Sequence, residues 1–527
     1  MGIVSFLGFT LLVGVISYIS TLKTDEKSSD GYFLGGRSLT GVVIAGSLLL
    51  TNLSTEQIVG LNGQAFTEGI LVMAWETLAA IAMVITAVFL LPRYLKGGIT
   101  TVPQFLERRY DKTTKAITSG LFLTGYVVVL LPIVLYSGSL AISTMFDVPQ
   151  LLNVSKTASI WICVFGIGIV GSLYAIFGGL KAVAVSDTIN AIGLLVGGIL
   201  IPIYGLLEIG DGNVGNGLSI LFKEHSEKFN SIGSSEASVP FGTIFTGLML
   251  VQLFYWGTNQ AIIQRALGAK NLKEGQKGLL LASFIKILGP LIVVLPGIIA
   301  FHMFGDTLVN PDEAYPALVS KVLPLSFVGF FAAVLFGAIL SSFNSALNSS
   351  VTLFGIDIYK EYINKKASEL QTVKAGKVFG VFLALLAMLI APFIANAPEG
   401  LYGYLQQVNG CYSIPILTII VVGYLTKRVP AIAAKIAIIS GALLYLAYVV
   451  LDSTIMQDQF PHFLHVMAFL FVLNVIIMLT IGRFYPRKIA FEQNYTGDVE
   501  ISPWKYVTTI GISISALVIF IYIYFAQ

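Results

Sequence analysis

Leu50-Thr51-Asn52-Leu53-Ser54-Thr55-Glu56-Gln57 interrupts an apolar run that reaches Leu50 and resumes at Ile58. An unwound, polar stretch at membrane depth is tolerable only where it lines a cavity or is buried in protein. A second interruption, Tyr255-Trp256-Gly257-Thr258-Asn259-Gln260, lies in an apolar run that ends near Gln264-Arg265. The two interrupted segments are five apolar stretches apart, so they enter the membrane from opposite sides. Broken helices at matching positions of two inverted halves point to the binding site of a secondary transporter. The plain alternative is two kinked helices that carry polar packing residues.

Composition supports the membrane reading. Of 527 residues, 56% are hydrophobic and only 11% charged, against about 25% charged in soluble domains. The mean hydropathy is +0.85. A soluble enzyme, a nucleic-acid binder, a disordered chain and a disulfide scaffold are excluded. Cys163 and Cys411 both fall inside apolar runs, which indicates no disulfide framework. His225, His302, His462 and His465 lack the spacing of a metalloenzyme motif, and the last three read as interfacial residues. The sequence contains no phosphate-cradling GxxxxGK[ST] loop. No cofactor is expected.

A spanning helix needs about 20 mostly apolar residues. That window gives fourteen stretches: 2–21, 40–62, 69–92, 116–146, 158–178, 182–208, 241–265, 278–303, 324–356, 374–395, 400–425, 430–451, 460–482 and 504–526. Loops after odd-numbered stretches, with their flanking helix ends, carry 26 of the 31 Lys and Arg residues. The positive-inside bias puts those loops in the cytoplasm and both termini outside. The expected location is the cell membrane, with the chain crossing it many times.

Three polar features fall inside apolar helices. Gly337-Ala338-Ile339-Leu340-Ser341-Ser342-Phe343-Asn344-Ser345 offers hydroxyls in the ninth stretch, and sodium takes hard oxygen ligands. The same small residues would also suit close helix packing. Asp187 lies just inside the sixth stretch, as a functional carboxylate or as an interfacial helix-start residue. Glu76 and Lys286 are the most deeply placed charges, and each needs a partner: a solute rich in hydroxyls, or each other.

Gly178-Gly179-Leu180-Lys181-Ala182-Val183-Ala184-Val185-Ser186-Asp187, Asn259-Gln260-Ala261-Ile262-Ile263-Gln264-Arg265 and Gly355-Ile356-Asp357-Ile358-Tyr359-Lys360-Glu361-Tyr362 resemble the sodium–solute symporter family. The likeness is strongest to its sodium/galactose and sodium–glucose branch. It implies an all-α polytopic fold with a leucine-transporter-like core of five-plus-five inverted repeats. The corresponding division is a peripheral first helix and cytoplasmic loop at 1–39, repeats at 40–208 and 241–425 joined by an extracellular loop at 209–240, and three peripheral helices at 426–527.

The resemblance also implies site residues. Sodium would be held by the carbonyls of Leu50, Leu53 and Ala338 and the hydroxyls of Ser341 and Ser342, with Leu50 replacing a smaller residue of the branch. Some members hold a second sodium, for which Asp187, Ser341, Asn344 and Ser345 occupy the matching positions. Asn52, Gln57, Glu76, Lys286 and Gln406 map onto sugar-contacting positions, and Trp75 and Trp256 flank them. Gln252 stands where the branch has Asn, and Ala79 where it has Ser. Tyr255 maps onto an inner gate, and Leu61 and Tyr402 onto an outer one. The expected activity is sodium-coupled import of a small polyhydroxylated solute, a monosaccharide such as galactose or glucose, by alternating access across the lipid bilayer. Uptake of an organic acid, sugar acid or amino acid is the first alternative, and a non-transporting channel or sensor on the same fold is the second.

Overall fold

A computed structural model describes residues 2–21, 28–308, 310–396, 401–454 and 459–526. Among these residues the chain is helical, with one isolated bridge between Leu39 and Ala269. Ten helices are long and apolar enough to span a bilayer, and the pair Leu272–Lys286 and Gly289–Phe304, bent by 49°, makes an eleventh. Three shorter apolar helices, Phe6–Ser20, Gly41–Asn52 and Gly247–Gly257, account for the remaining expected stretches. Two of them are short because they are the first halves of the interrupted segments.

Both interruptions leave helical geometry where the polar residues begin. The first helix half ends at Asn52, Leu53 (φ −74°, ψ 54°) departs from it, Ser54 is extended, and helix restarts at Thr55. In the second, Gly247–Gly257 gives way to Thr258 and an extended Asn259 before Gln260–Leu267. The Asn259 side chain accepts from the Ala261 N–H at 3.0 Å, capping the new helix, and the Tyr126 hydroxyl donates to Asn259 Oδ1 at 2.6 Å. Both breaks therefore have their freed backbone groups inside protein, as membrane depth requires.

The link between the second and third stretches, expected as a short loop around 63–68, is instead helix to Glu68 followed by a 3-10 turn, Gly69–Met73. Gly69 has φ +82° and reverses the chain there. The reversal is forced by chemistry on either side: Gln57 and Glu76 are hydrogen-bonded, whereas a straight helix would hold residues so spaced about 28 Å apart. At Gly179, φ +59° and ψ −175° kink the chain between Lys156–Ile176 and Gly179–Ile209. The buried Tyr32 hydroxyl donates to the Ile176 carbonyl at 3.0 Å, satisfying a group the kink frees.

The apolar core divides into two large clusters, with Leu49 in one and Leu50 in the other, so their boundary runs through the first broken helix. One basic residue of the 93–115 loop is a structural tie. Arg109, fully buried, donates to the carbonyls of Gly423 (2.8 Å), Val429 (3.0 Å) and Thr426 (3.1 Å), fastening that loop to the end of helix Leu401–Leu425.

Candidate functional site

The helix Leu325–Thr352 packs against the first half of the broken second segment. Ser342 donates its hydroxyl to the Thr51 carbonyl at 2.9 Å, and the Thr51 hydroxyl lies 3.3 Å from that of Ser341 and 3.1 Å from that of Ser345. Leu50, Leu53, Ala338, Ser341 and Ser342 are all buried. Because the helix stops at Asn52, carbonyls of its last turn, that of Leu50 among them, lose their i+4 donors. Neutral hydroxyls and freed carbonyls meeting in a buried place form a donor set suited to a hard monovalent cation.

One turn further along, the positions considered for a second cation hold a different arrangement. Asp187 accepts from the Ser47 hydroxyl at 2.6 Å, and the same hydroxyl accepts from Arg265 Nε at 3.2 Å. The Arg265 guanidinium also donates to the Ser345 hydroxyl and to the Ala261 carbonyl. Arg265 is fully buried, and Asn344 Oδ1 has no hydrogen-bond partner among the described residues. A fixed positive charge thus already serves the Asp187 carboxylate through Ser47.

On the other side of the break lies a cavity of about 40 Å³, room for a few water molecules. Asn52, Gln57, Trp75, Gln252, Tyr255, Tyr402 and Gln406 line it, together with Glu56, Asn259, Asn409 and Tyr412. Trp75 meets Tyr402 edge to face at 5.2 Å, closing one side, while Leu61 packs behind them in the same apolar cluster.

Glu76 and Lys286 form a fully buried ion pair behind this lining. Gln57 donates to the other Glu76 oxygen, so Gln57 links the pair to the cavity. Gly289 packs directly on the Glu76 carboxylate, leaving no room for a Cβ. Gln252 donates to the Trp75 carbonyl at 2.7 Å and accepts from Trp256 Nε1 at 3.2 Å. Its amide therefore fixes two tryptophans, and Trp256 supports the site from the core rather than from its wall.

Three lining groups have no hydrogen-bond partner among the described residues: Asn52 Oδ1, Trp75 Nε1 and Glu56 Oε2. The sequence reading assigns no role to Glu56. The signal was present, since a carboxylate within that stretch carries the same burial cost that singled out Glu76. Asn259, Asn409 and Tyr412 are further lining residues that sequence reasoning missed. Asn259 belongs to the second interruption itself, and Asn409 and Tyr412 lie on helix Leu401–Leu425, which also carries Gln406.

Residues 32–441 match the Sodium:solute symporter family. The chain belongs to this family. The symporter is 50% identical to the "Uncharacterized symporter YidK" of Escherichia coli (strain K12), over 99% of this chain and 90% of that one. It is 31% identical to the "Sodium/glucose cotransporter" of Vibrio parahaemolyticus, over 85% of each. A solved structure, the substrate-bound outward-open state of a Na+-coupled sialic acid symporter, aligns with a TM-score of 0.77 at 20% identity, covering 93% of this chain and 99% of that chain. That likeness establishes the leucine-transporter-like fold. The symporter is a sodium-coupled solute transporter and not an enzyme.

Proposed function

We propose that this symporter imports a small polyhydroxylated neutral solute, a monosaccharide or similar polyol, together with one sodium ion. The observation that carries the substrate class is Glu56 Oε2, a buried acceptor in the cavity with no partner among the described residues. A hydroxyl can donate to such an oxygen, whereas the carboxylate of an organic acid has no proton to offer it. Lys286, the cation that would receive an acid, is already held by Glu76. Asn52, Gln57, Gln252 and Gln406 add amides able to donate to and accept from hydroxyls. Relatives with polyol names support the same class: the Vibrio sodium/glucose protein, and a rabbit "Sodium/myo-inositol cotransporter 2" at 29% identity.

Sodium sits, in this reading, among the carbonyls of Leu50, Leu53 and Ala338 and the hydroxyls of Ser341 and Ser342. Binding there stitches the broken segment to the ninth stretch and shapes the solute cavity on its far side. Residues 40–208 and 241–425 act as the two inverted repeats, Tyr255 gates the inner side, and Leu61 with Tyr402 gates the outer. The basic loops face the cytoplasm, which leaves both termini outside. At Asp187 the Arg265 guanidinium provides the positive charge that a second sodium would otherwise bring.

A thermal-shift screen of hexoses, cyclitols, sugar acids and amino acids, each with and without sodium, tests the substrate class. A ligand that prefers the folded protein raises its melting temperature. Stabilisation by a hexose or cyclitol, strengthened by sodium, is expected; stabilisation by acids alone overturns the assignment.

A further inference from the structure

Outside the lining of the solute cavity, the loop after the sixth span meets the end of the eighth. Helix Val214–Glu224 ends at His225, whose N–H donates to the Leu221 carbonyl at 2.9 Å, and His302 lies on helix Leu295–Phe304. His225 Nε2 and His302 Nδ1 are 3.1 Å apart, and Glu224 Oε2 is 3.5 Å from that same His302 nitrogen. One ligand atom from each of the three residues lies within 4.8 Å of the others. These residues are only partly buried, with Glu224 exposed, so an ion would reach them directly from water.

We propose that Glu224, His225 and His302 form a binding site for a divalent first-row metal ion, zinc being the one their chemistry suits best. Two imidazoles and one carboxylate, with water in the fourth position, match zinc's ligand preferences. Zinc–nitrogen bonds of about 2.0–2.1 Å in a tetrahedron place neighbouring ligand atoms about 3.3 Å apart. The two edges here, 3.1 and 3.5 Å, bracket that spacing. The His225 ring is already oriented: it stands edge-on to Phe301 at 5.2 Å, and Glu227 Oε1 lies 3.8 Å from its other nitrogen, Nδ1. At that distance the Glu227 carboxylate is close to the ring but not hydrogen-bonded to it. The neighbouring Lys228 ammonium is engaged elsewhere, donating to the Phe66 carbonyl (3.3 Å) and the Thr67 carbonyl (2.5 Å). The linear sequence hides the site because His302 comes from a different span, and neither histidine has a ligand-spaced neighbour.

A bound ion ties the outer loop to the bent span whose other half carries Lys286, so metal outside the cell would restrain a helix next to the solute cavity.

Zinc titration by isothermal calorimetry, on the full chain purified without a polyhistidine tag and stripped with EDTA, tests the site. One zinc ion per chain is expected, with magnesium failing to compete and zinc raising the melting temperature. His225→Gln and His302→Gln should each weaken binding about ten-fold or more, and the double variant should lose it. Gel filtration and circular dichroism confirm that each variant remains folded. No saturable zinc binding by the parent chain overturns the proposal, and so does unchanged binding by the folded double variant.

Discussion

The Ser342 hydroxyl donates to the Thr51 carbonyl at 2.9 Å, joining the middle of the ninth stretch to the point where the second one unwinds. The two elements are far apart in sequence, and their meeting brings hydroxyls beside the unwound backbone where the proposed sodium site lies. Removing the hydroxyl should be felt by sodium first. Ser342→Ala is expected to raise the sodium concentration for half-maximal uptake by about ten-fold, equivalent to ~1.4 kcal/mol. Ser342→Thr, which keeps the oxygen, should stay near the parent. Sodium titration of uptake by both variants checks this, and an alanine variant with unchanged dependence moves the ion elsewhere.

Glu56→Gln separates solute recognition from stability. Neutralising a buried carboxyl whose Oε2 has no hydrogen-bond partner among the described residues removes a desolvation cost, so the melting temperature should hold or rise. Affinity for a hydroxylated solute should fall by roughly 1 kcal/mol, about five-fold, as a charge-assisted bond becomes a neutral one. A variant that binds the solute as tightly as the parent would remove Glu56 from the site.

For Glu76 and Lys286, the outcome depends on whether the pair serves only itself. A sealed pair that loses one partner should cost about 3–5 kcal/mol, and the double replacement should recover it. Because Gln57 connects Glu76 to the cavity, Glu76→Gln and Lys286→Ala should also weaken solute binding more than sodium binding. Melting temperature and affinity, measured together for both singles and the double, decide it. Recovered stability with near-normal affinity in the double would confine the pair to a structural role.

Arg265 predicts the coupling ratio. With its guanidinium bridged to Asp187 through Ser47, one positive charge should move per neutral solute. Reversal potentials of solute-driven flux in proteoliposomes measure this, and two charges per solute would contradict it. Arg265→Gln alone should destabilise the chain by about 3–5 kcal/mol, and Asp187→Asn in the same chain should restore much of it.

Much of this was legible in the sequence because membrane helices advertise themselves. Thr51 to Gln57 and Trp256 to Gln260 lie inside apolar runs, and the cost of such residues there marks both breaks before any contact is known. The burial cost of Glu76 and Lys286 likewise showed that each needs a partner, and left open whether that partner is the solute or the other charge. What could not be read were meetings across helices. That Arg265 reaches Ser345 and Ser47 depends on how the second half of the seventh segment turns after Asn259. The unpartnered state of Glu56 depends on which way its helix faces after the break. The reversal at Gly69–Met73 was read as the start of the third stretch, because an apolar helix and an apolar 3-10 turn share one composition.

Sodium coupling of a neutral polyol is tested most directly by counterflow in proteoliposomes. Vesicles loaded with unlabelled hexose or cyclitol take up labelled solute from outside, with sodium or potassium on both sides. Accelerated exchange of the neutral solute in sodium, abolished in potassium and insensitive to a proton gradient, is the expected result. Equal exchange in potassium, or acceleration by carboxylate solutes alone, would contradict it.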